Sequence, residues 1–186
     1  MLKTVRNPVI GHWVTFLQIG AQTNGELLQI EYGVVEPENK PAIPLHMHLK
    51  CTERFEVVEG QLGVILDGER RVLGMGEQQL IPPGTPHTFW NAGDSELRFI
   101  TDVRPAGELQ TYWETVFGLA ADGNVNAKGM PNLLQLAVVA PKADSYDPHV
   151  PVIMTKLLVF VLGGIGRLWG YKAKYPKYSA VAASPD

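Results

Sequence analysis

The sequence predicts an all-β core, closed as a barrel or sandwich, followed by a helical extension. Two patterns carry that prediction. From about residue 24 to 104, short apolar–polar alternations are cut repeatedly by turn residues, which is how half-buried strands read. Beyond Pro105 the apolar residues recur at helical spacing instead. Length sets the frame: 186 residues, 45% hydrophobic and 19% charged, make about one domain with a core that needs no disulfide or metal staple. We expect a barrel unit over 1–104, N-terminal strands included, and a helical extension over 105–186 packed on the barrel or on a dimer partner.

Each element follows from a local rule. Leu28, Ile30, Tyr32 and Val34 alternate with Gln29 and Glu31, so one face of that strand is apolar. The stretch from Glu36 to Pro44 holds three prolines, which cannot donate to a ladder, and reads as a loop. Phe55, Val57 and Glu59 lead to Gly60, and Leu62, Val64 and Leu66 run into Asp67-Gly68, a tight hairpin signal. Pro82-Pro83-Gly84 marks another turn. Leu97, Phe99, Thr101 and Val103 share a face opposite Arg98, Asp102 and Arg104. Strands so short and so many favour a sandwich or barrel.

In the extension, Leu109, Trp113, Val116 and Ala120 form a helical stripe that Asp122-Gly123 stops. Pro131 is placed to open a second helix through Val138, although a strand reads as well there. A third candidate runs from Pro151 to about Tyr171. Lys156 and Arg167 leave only ten uncharged residues between them, short of the ~20 that a membrane span needs. Packing on the barrel or across a homodimer interface is the favoured reading of that helix. A minor alternative is an interfacial helix, because Trp169, Tyr171, Tyr175 and Tyr178 interleave with basic residues.

Charge and cysteine content exclude several classes. The net charge of −3 argues against a nucleic-acid binder. It is unevenly spread: residues 1–150 carry a net −7 and residues 151–186 a net +4. The basic tail is therefore expected to lie against the acidic body of its own or a neighbouring subunit, or to be functionally distinct. A single cysteine, Cys51, rules out an intramolecular disulfide framework and an all-cysteine zinc site. The first 25 residues lack a secretory pattern, so the expected location is cytoplasmic.

Three of the five histidines, His46, His48 and His87, fall in one short region. His46 and His48 leave the same face of a strand, and Glu53 can return beside them after a turn. Phe55 and Val57 share the parity of Glu53, which makes that face the inside of the barrel. Three imidazoles and a carboxylate buried unpaired would be costly, and a divalent cation resolves the cost.

At these positions the chain resembles the cupin superfamily. His46-x-His48-x4-Glu53-x6-Gly60 is similar to its first motif, and Gly76-x5-Pro82-x-Gly84-x2-His87-x3-Asn91 to its second. One departure stands at Lys40, where the first motif usually opens with glycine; it bears on the entering loop. The resemblance implies a double-stranded β-helix, or jelly-roll, barrel with one divalent metal ion held by His46, His48, Glu53 and His87. Asn91 is expected to be structural, and Cys51 to be a loop or packing residue.

Such a centre keeps a net charge of about +1 and two open octahedral positions, which suits an anionic oxygen donor and, with a redox metal, dioxygen. Iron, manganese, nickel, cobalt, copper and zinc are all compatible. The leading expectation is a mononuclear dioxygenase acting on a small enolisable or aromatic substrate. Glu53 would be the catalytic base, and Tyr32, Phe55, Val57 and Phe89 would line the substrate pocket, with plain core packing the competing role for these four. A ligand-binding or sensory barrel without turnover is the alternative, and a metal-dependent isomerase or lyase is third.

Overall fold

The structure is a computed structural model that describes residues 2–38 and 41–179; Lys40, and with it the departure in the first motif, lies outside the described residues. In chain order the strands are β1 (Lys3–Asn7), β2 (His12–Gln18), β3 (Leu28–Val34), β4 (Met47–His48), β5 (Thr52–Glu59), β6 (Leu62–Leu66), β7 (Glu69–Leu73), β8 (Gln78–Ile81), β9 (His87–Asn91) and β10 (Leu97–Arg104). The extension follows as α1 (Leu109–Ala121), α2 (Leu133–Val139), β11 (Ser145–Tyr146) and α3 (Val152–Leu168).

The strands form two principal antiparallel sheets, β1-β2-β3-β10-β5-β8 and β7-β6-β9, with a short β11-β4 ladder beside them. A backbone bridge between His46 and His87 joins the β4 segment to β9. This is the double-stranded β-helix expected from the motifs. Its core is aromatic where the sheets meet: Phe89 lies edge-on to Tyr32, Phe55 and Phe99, with ring centroids 5.1, 5.8 and 5.2 Å away. Edge-to-face contacts of this kind add to the burial of the rings themselves.

Turn chemistry sets the hairpins where the sequence placed them. Asp67 and Gly68, both at positive φ (49° and 83°), join β6 to β7. Gly60, Gly76 and Gly84 all sit at positive φ, where a side chain is strained.

Two further glycines have a packing role that the sequence did not reveal. Gly63 pairs with Trp90 and Gly33 with Trp13 across neighbouring strands. A Cβ at Gly63 would stand 2.1 Å from the Trp90 ring, and one at Gly33 2.0 Å from Trp13. Each indole lies flat over the bare backbone of its partner, and Arg70 stacks on the outer side of Trp90 at 4.3 Å.

The alternation from Leu28 onward understated the barrel at its N-terminal end, because β1 and β2 extend the larger sheet. The second helix starts at Leu133 rather than Pro131, since Asn132 caps it by accepting from the Gln135 amide (3.0 Å). α1 packs on β1, where Lys3 pairs with Glu114 at 2.9 Å. The chain after α3 folds back over α1. Tyr178 lies so close to Gly118 that a Cβ there would be 2.4 Å from the ring, and Lys177 pairs with Asp122. Part of the basic tail thus meets an acidic group of its own chain, as one reading of the charge asymmetry expected.

Gly63→Ala is expected to lower stability by about 1–3 kcal/mol, because Trp90 has nowhere to go in a packed sheet. Gly164→Ala, which meets open space on α3, is expected to be neutral or stabilising by up to ~1 kcal/mol. Urea unfolding of both variants measures the contrast.

Candidate metal centre and cavity

The backbone brings the three histidines together before any ion is considered. His46 and His87 exchange main-chain hydrogen bonds, 3.0 Å from the His46 amide and 2.7 Å from the His87 amide. The Gly84 amide donates to the His48 carbonyl at 2.7 Å, so the Pro82–Gly84 turn is tied directly to the strand of the other two ligands. Glu53 enters from β5, opposite Ile81 on β8 and Val103 on β10. One ring nitrogen from each histidine lies within 4.8 Å of the others.

Each ring is anchored through Nδ1. Nδ1 of His46 faces the Pro44 carbonyl at 2.9 Å, Nδ1 of His48 the Ala143 carbonyl at 3.0 Å, and Nδ1 of His87 the Thr85 carbonyl at 3.0 Å. A carbonyl only accepts, so each Nδ1 carries a proton; the inner nitrogens of His46 and His48 are free to present a lone pair, whereas Nε2 of His87 donates to the Glu53 carboxylate and would give up that proton to an ion. An outer nitrogen bonded to a carbonyl is the arrangement metal-ligating histidines adopt. Glu53 Oε2 stands 3.0 Å from Nε2 of His87 and 3.8 Å from Nε2 of His48. The donor set fits a divalent ion held by three imidazoles and a carboxylate once the ion takes the place of the proton shared by His87 and Glu53.

Electrostatics set the rings apart. Burial, reinforced by His87 and His48, pushes the His46 imidazole down to about 3, so it stays neutral. Burial alone would raise the Glu53 carboxyl, but His48 and His87 outweigh it and hold the group at about 2. Burial lowers His87 too, and the Glu53 hydrogen bond and charge reverse that, leaving it raised. Cys51 is pushed up to about 12, first by burial and then by Glu53 and Asp144. It is a protonated thiol in the core, in keeping with a packing role.

A cavity of about 270 Å³ opens from His46, His48 and Glu53. Tyr32, Phe55 and Phe89 line it; Val57 does not. Strand parity gives the face of a residue but not its depth along the barrel. Val57 sits at the far end of β5, tied by its backbone to Gly76 and Glu77, and packs into the core.

Sequence reasoning missed much of the opposite wall, which the extension builds. Leu109, Tyr112 and Trp113 come from α1, Leu136 from α2, and Tyr146 from β11. The stripe Leu109–Trp113 signalled that α1 covers the barrel, but not that it roofs a cavity. Asp144 was also missed. Its Oδ2 accepts from the amides of Leu49 (3.0 Å) and Lys50 (2.8 Å), clamping the turn after His48. β11 then pairs with β4, Ser145 opposite His48. His12, deep in the barrel, bonds the Tyr32 hydroxyl through Nδ1 at 2.9 Å and lies 3.3 Å from Glu38 through Nε2.

These features define a class: a single antiparallel barrel with a three-histidine, one-carboxylate cluster at the end of an apolar cavity. The cupin domain family matches residues 33–103, the segment that holds all four of these side chains, and this segment is a cupin domain. Quercetin 2,3-dioxygenase of Bacillus subtilis is 33% identical over 81 residues, 44% of this chain and 23% of that protein. A protein of Hypocrea virens named as an oxidoreductase, virH, is 26% identical over 147 residues, 73% of this chain and 67% of its own length. Among solved structures, an RmlC-like cupin of Shewanella frigidimarina is 23% identical with a TM-score of 0.48, over 57% of this chain and 86% of that one. The chain spans about a quarter of the length of the dioxygenase and two thirds of the Hypocrea protein.

Elemental analysis of native, untagged protein is expected to find near one equivalent of a divalent metal. His48→Ala and His87→Ala should each lose it; full occupancy in both would remove the ligand set. Asp144→Ala is expected to weaken metal affinity about tenfold while leaving the fold intact, as read by chelator competition.

Proposed function

We propose that the protein is a mononuclear metal-dependent oxygenase, of the dioxygenase type, acting on a small enolisable or aromatic substrate in the cytoplasm. The observation that carries this reading is the cluster itself: three imidazoles locked with Nε2 toward a carboxylate, at the closed end of an apolar cavity. The two relatives named as a dioxygenase and an oxidoreductase support it.

An ion bound by His46, His48, His87 and Glu53 would supply Lewis acidity toward an anionic oxygen donor and, if redox-active, a means of using dioxygen. Everything else comes from the chain. The cavity is just under the ~300–1,000 Å³ usual for ligand pockets, which limits the substrate to a small molecule. Phe55, Phe89, Phe99 and Trp113 offer ring faces and edges that exclude water and orient a flat substrate. Tyr112, pushed up to about 12 by burial, stays a neutral hydroxyl on the wall and serves as a hydrogen-bond donor. Glu53 is the candidate catalytic base. Held at about 2, it is a weak base at rest, and accepting a proton requires its contacts with His48 and His87 to loosen.

Oxygen uptake with small phenols and 1,3-diketones tests the reading. Metal-dependent uptake is expected, with Glu53→Gln slower by about 10²–10⁴-fold. Product formed without oxygen uptake would make the protein an isomerase or lyase. Tight binding with no product would make it a binding module.

A further inference from the structure

α3 uses less than half of its circumference to pack. Gly163 and Gly166 are its only fully buried residues; a Cβ on either would stand 3.0 or 2.8 Å from a carbonyl of α2. The opposite side is bare. Ile153, Met154, Leu157, Leu158, Phe160, Val161, Ile165, Leu168 and Trp169 are exposed by 39–88%. At 100° per residue these positions fill an arc of about 180°. They expose apolar surface on the order of 1,000 Å², beyond the roughly 300–600 Å² of the largest patch on a typical monomer.

Charge says what covers it. From Pro151 to Ser179 the chain has five basic residues and no acidic one. Lys177 pairs with Asp122, while Lys156 and Arg167 lie together on one border of the apolar arc, and exposed Lys172 and Lys174 follow directly. With a net −7 on residues 1–150, this segment carries the net positive charge that an anionic surface would attract, and the body would be turned away.

A second copy of α3 fits less well. Paired two-fold and antiparallel, Lys156 would face Arg167 of the partner subunit; paired in parallel, each would face itself. A half-circumference face is also wider than a two-helix seam needs. Among the described residues no helix is long and apolar enough to cross a membrane. A helix of 17 residues with half its surface apolar and a basic border is suited to lie in the headgroup region instead.

We propose that α3 seats the protein on an anionic lipid surface, with Phe160, Leu157 and Leu168 among the acyl chains and Lys156, Arg167, Lys172 and Lys174 at the phosphates. Co-sedimentation of the full chain with phosphatidylcholine vesicles containing about 30% phosphatidylglycerol tests it. Binding is expected, and weaker binding to phosphatidylcholine alone. Leu157→Glu with Phe160→Glu, both solvent-facing, should abolish binding while metal content and circular dichroism stay unchanged. Lys172→Gln with Lys174→Gln should weaken binding to the anionic vesicles by about fivefold per lysine and leave binding to neutral ones unaltered. Wild-type protein that stays in the supernatant with both vesicles would overturn the proposal. So would a wild-type dimer, seen by light scattering, that Leu157→Glu dissociates and that ignores lipid.

Discussion

The structure depends on where three imidazole Nδ1–H groups go. Each is bonded to a main-chain carbonyl, of Pro44, Ala143 or Thr85, and these carbonyls belong to three different parts of the chain. The loop before β4, the end of the α2 segment and the turn before β9 must all be in place for the three inner ring nitrogens to meet beside Glu53. A carboxylate and three imidazoles in an apolar enclosure are stable together only if their polar atoms are satisfied. The bonds to backbone satisfy the outer nitrogens and leave the inner ones for an ion. Metal affinity and barrel closure are therefore coupled, and local disorder at any of the three carbonyls would loosen a ligand.

One of those carbonyls comes from the extension, which changes what the extension is. Ala143, Asp144 and Ser145 hold His48 by its ring, by the two amides after it and by its strand pairing. α1 and α2 supply Leu109, Tyr112, Trp113 and Leu136 to the cavity wall. The division at residue 104 separates strands from helices but not function, because the cavity is half barrel and half extension. The motif residues are ones that other barrels of this kind share, whereas the cavity wall draws on side chains both inside the matched segment 33–103 and outside it.

Why the meeting of these four side chains was legible in the sequence and the wall was not follows from range. His46, His48 and Glu53 lie within eight residues, so period-2 alternation and one turn place them, and the spacing to His87 is set by glycines whose positive φ shapes the bend. Phe55 and Phe89 inherit the same parity. Tyr112 reaches the cavity only through helix docking and Tyr146 only through the distant pairing of β11 with β4, and no local period encodes either contact. Val57 shows the complementary failure: its face was read correctly from alternation, but its depth depends on register with Gly76 and Glu77. The opposed glycine–tryptophan pairs were equally hidden. Gly33 and Gly63 look like strand-weakening residues until Trp13 and Trp90 are seen lying over them.

The extension also joins the cavity to the outside of the molecule. Tyr146 lines the cavity and stacks under Lys156 of α3, 5.8 Å from ring centroid to ammonium. α2, which supplies Leu136 to the wall, is the element on which Gly163 and Gly166 of α3 pack. Any force on α3 reaches the cavity through these contacts in two short steps. Seating α3 in a lipid surface would hold that wall next to the headgroup region, where small aromatic and enolisable molecules partition more readily than in water. An apolar cavity beside an apolar docking face is what a protein needs to take such a molecule without carrying it through bulk solvent. On this view the half-bare helix and the apolar cavity would work together, and the net negative charge of residues 1–150 would keep the rest of the barrel off the same surface.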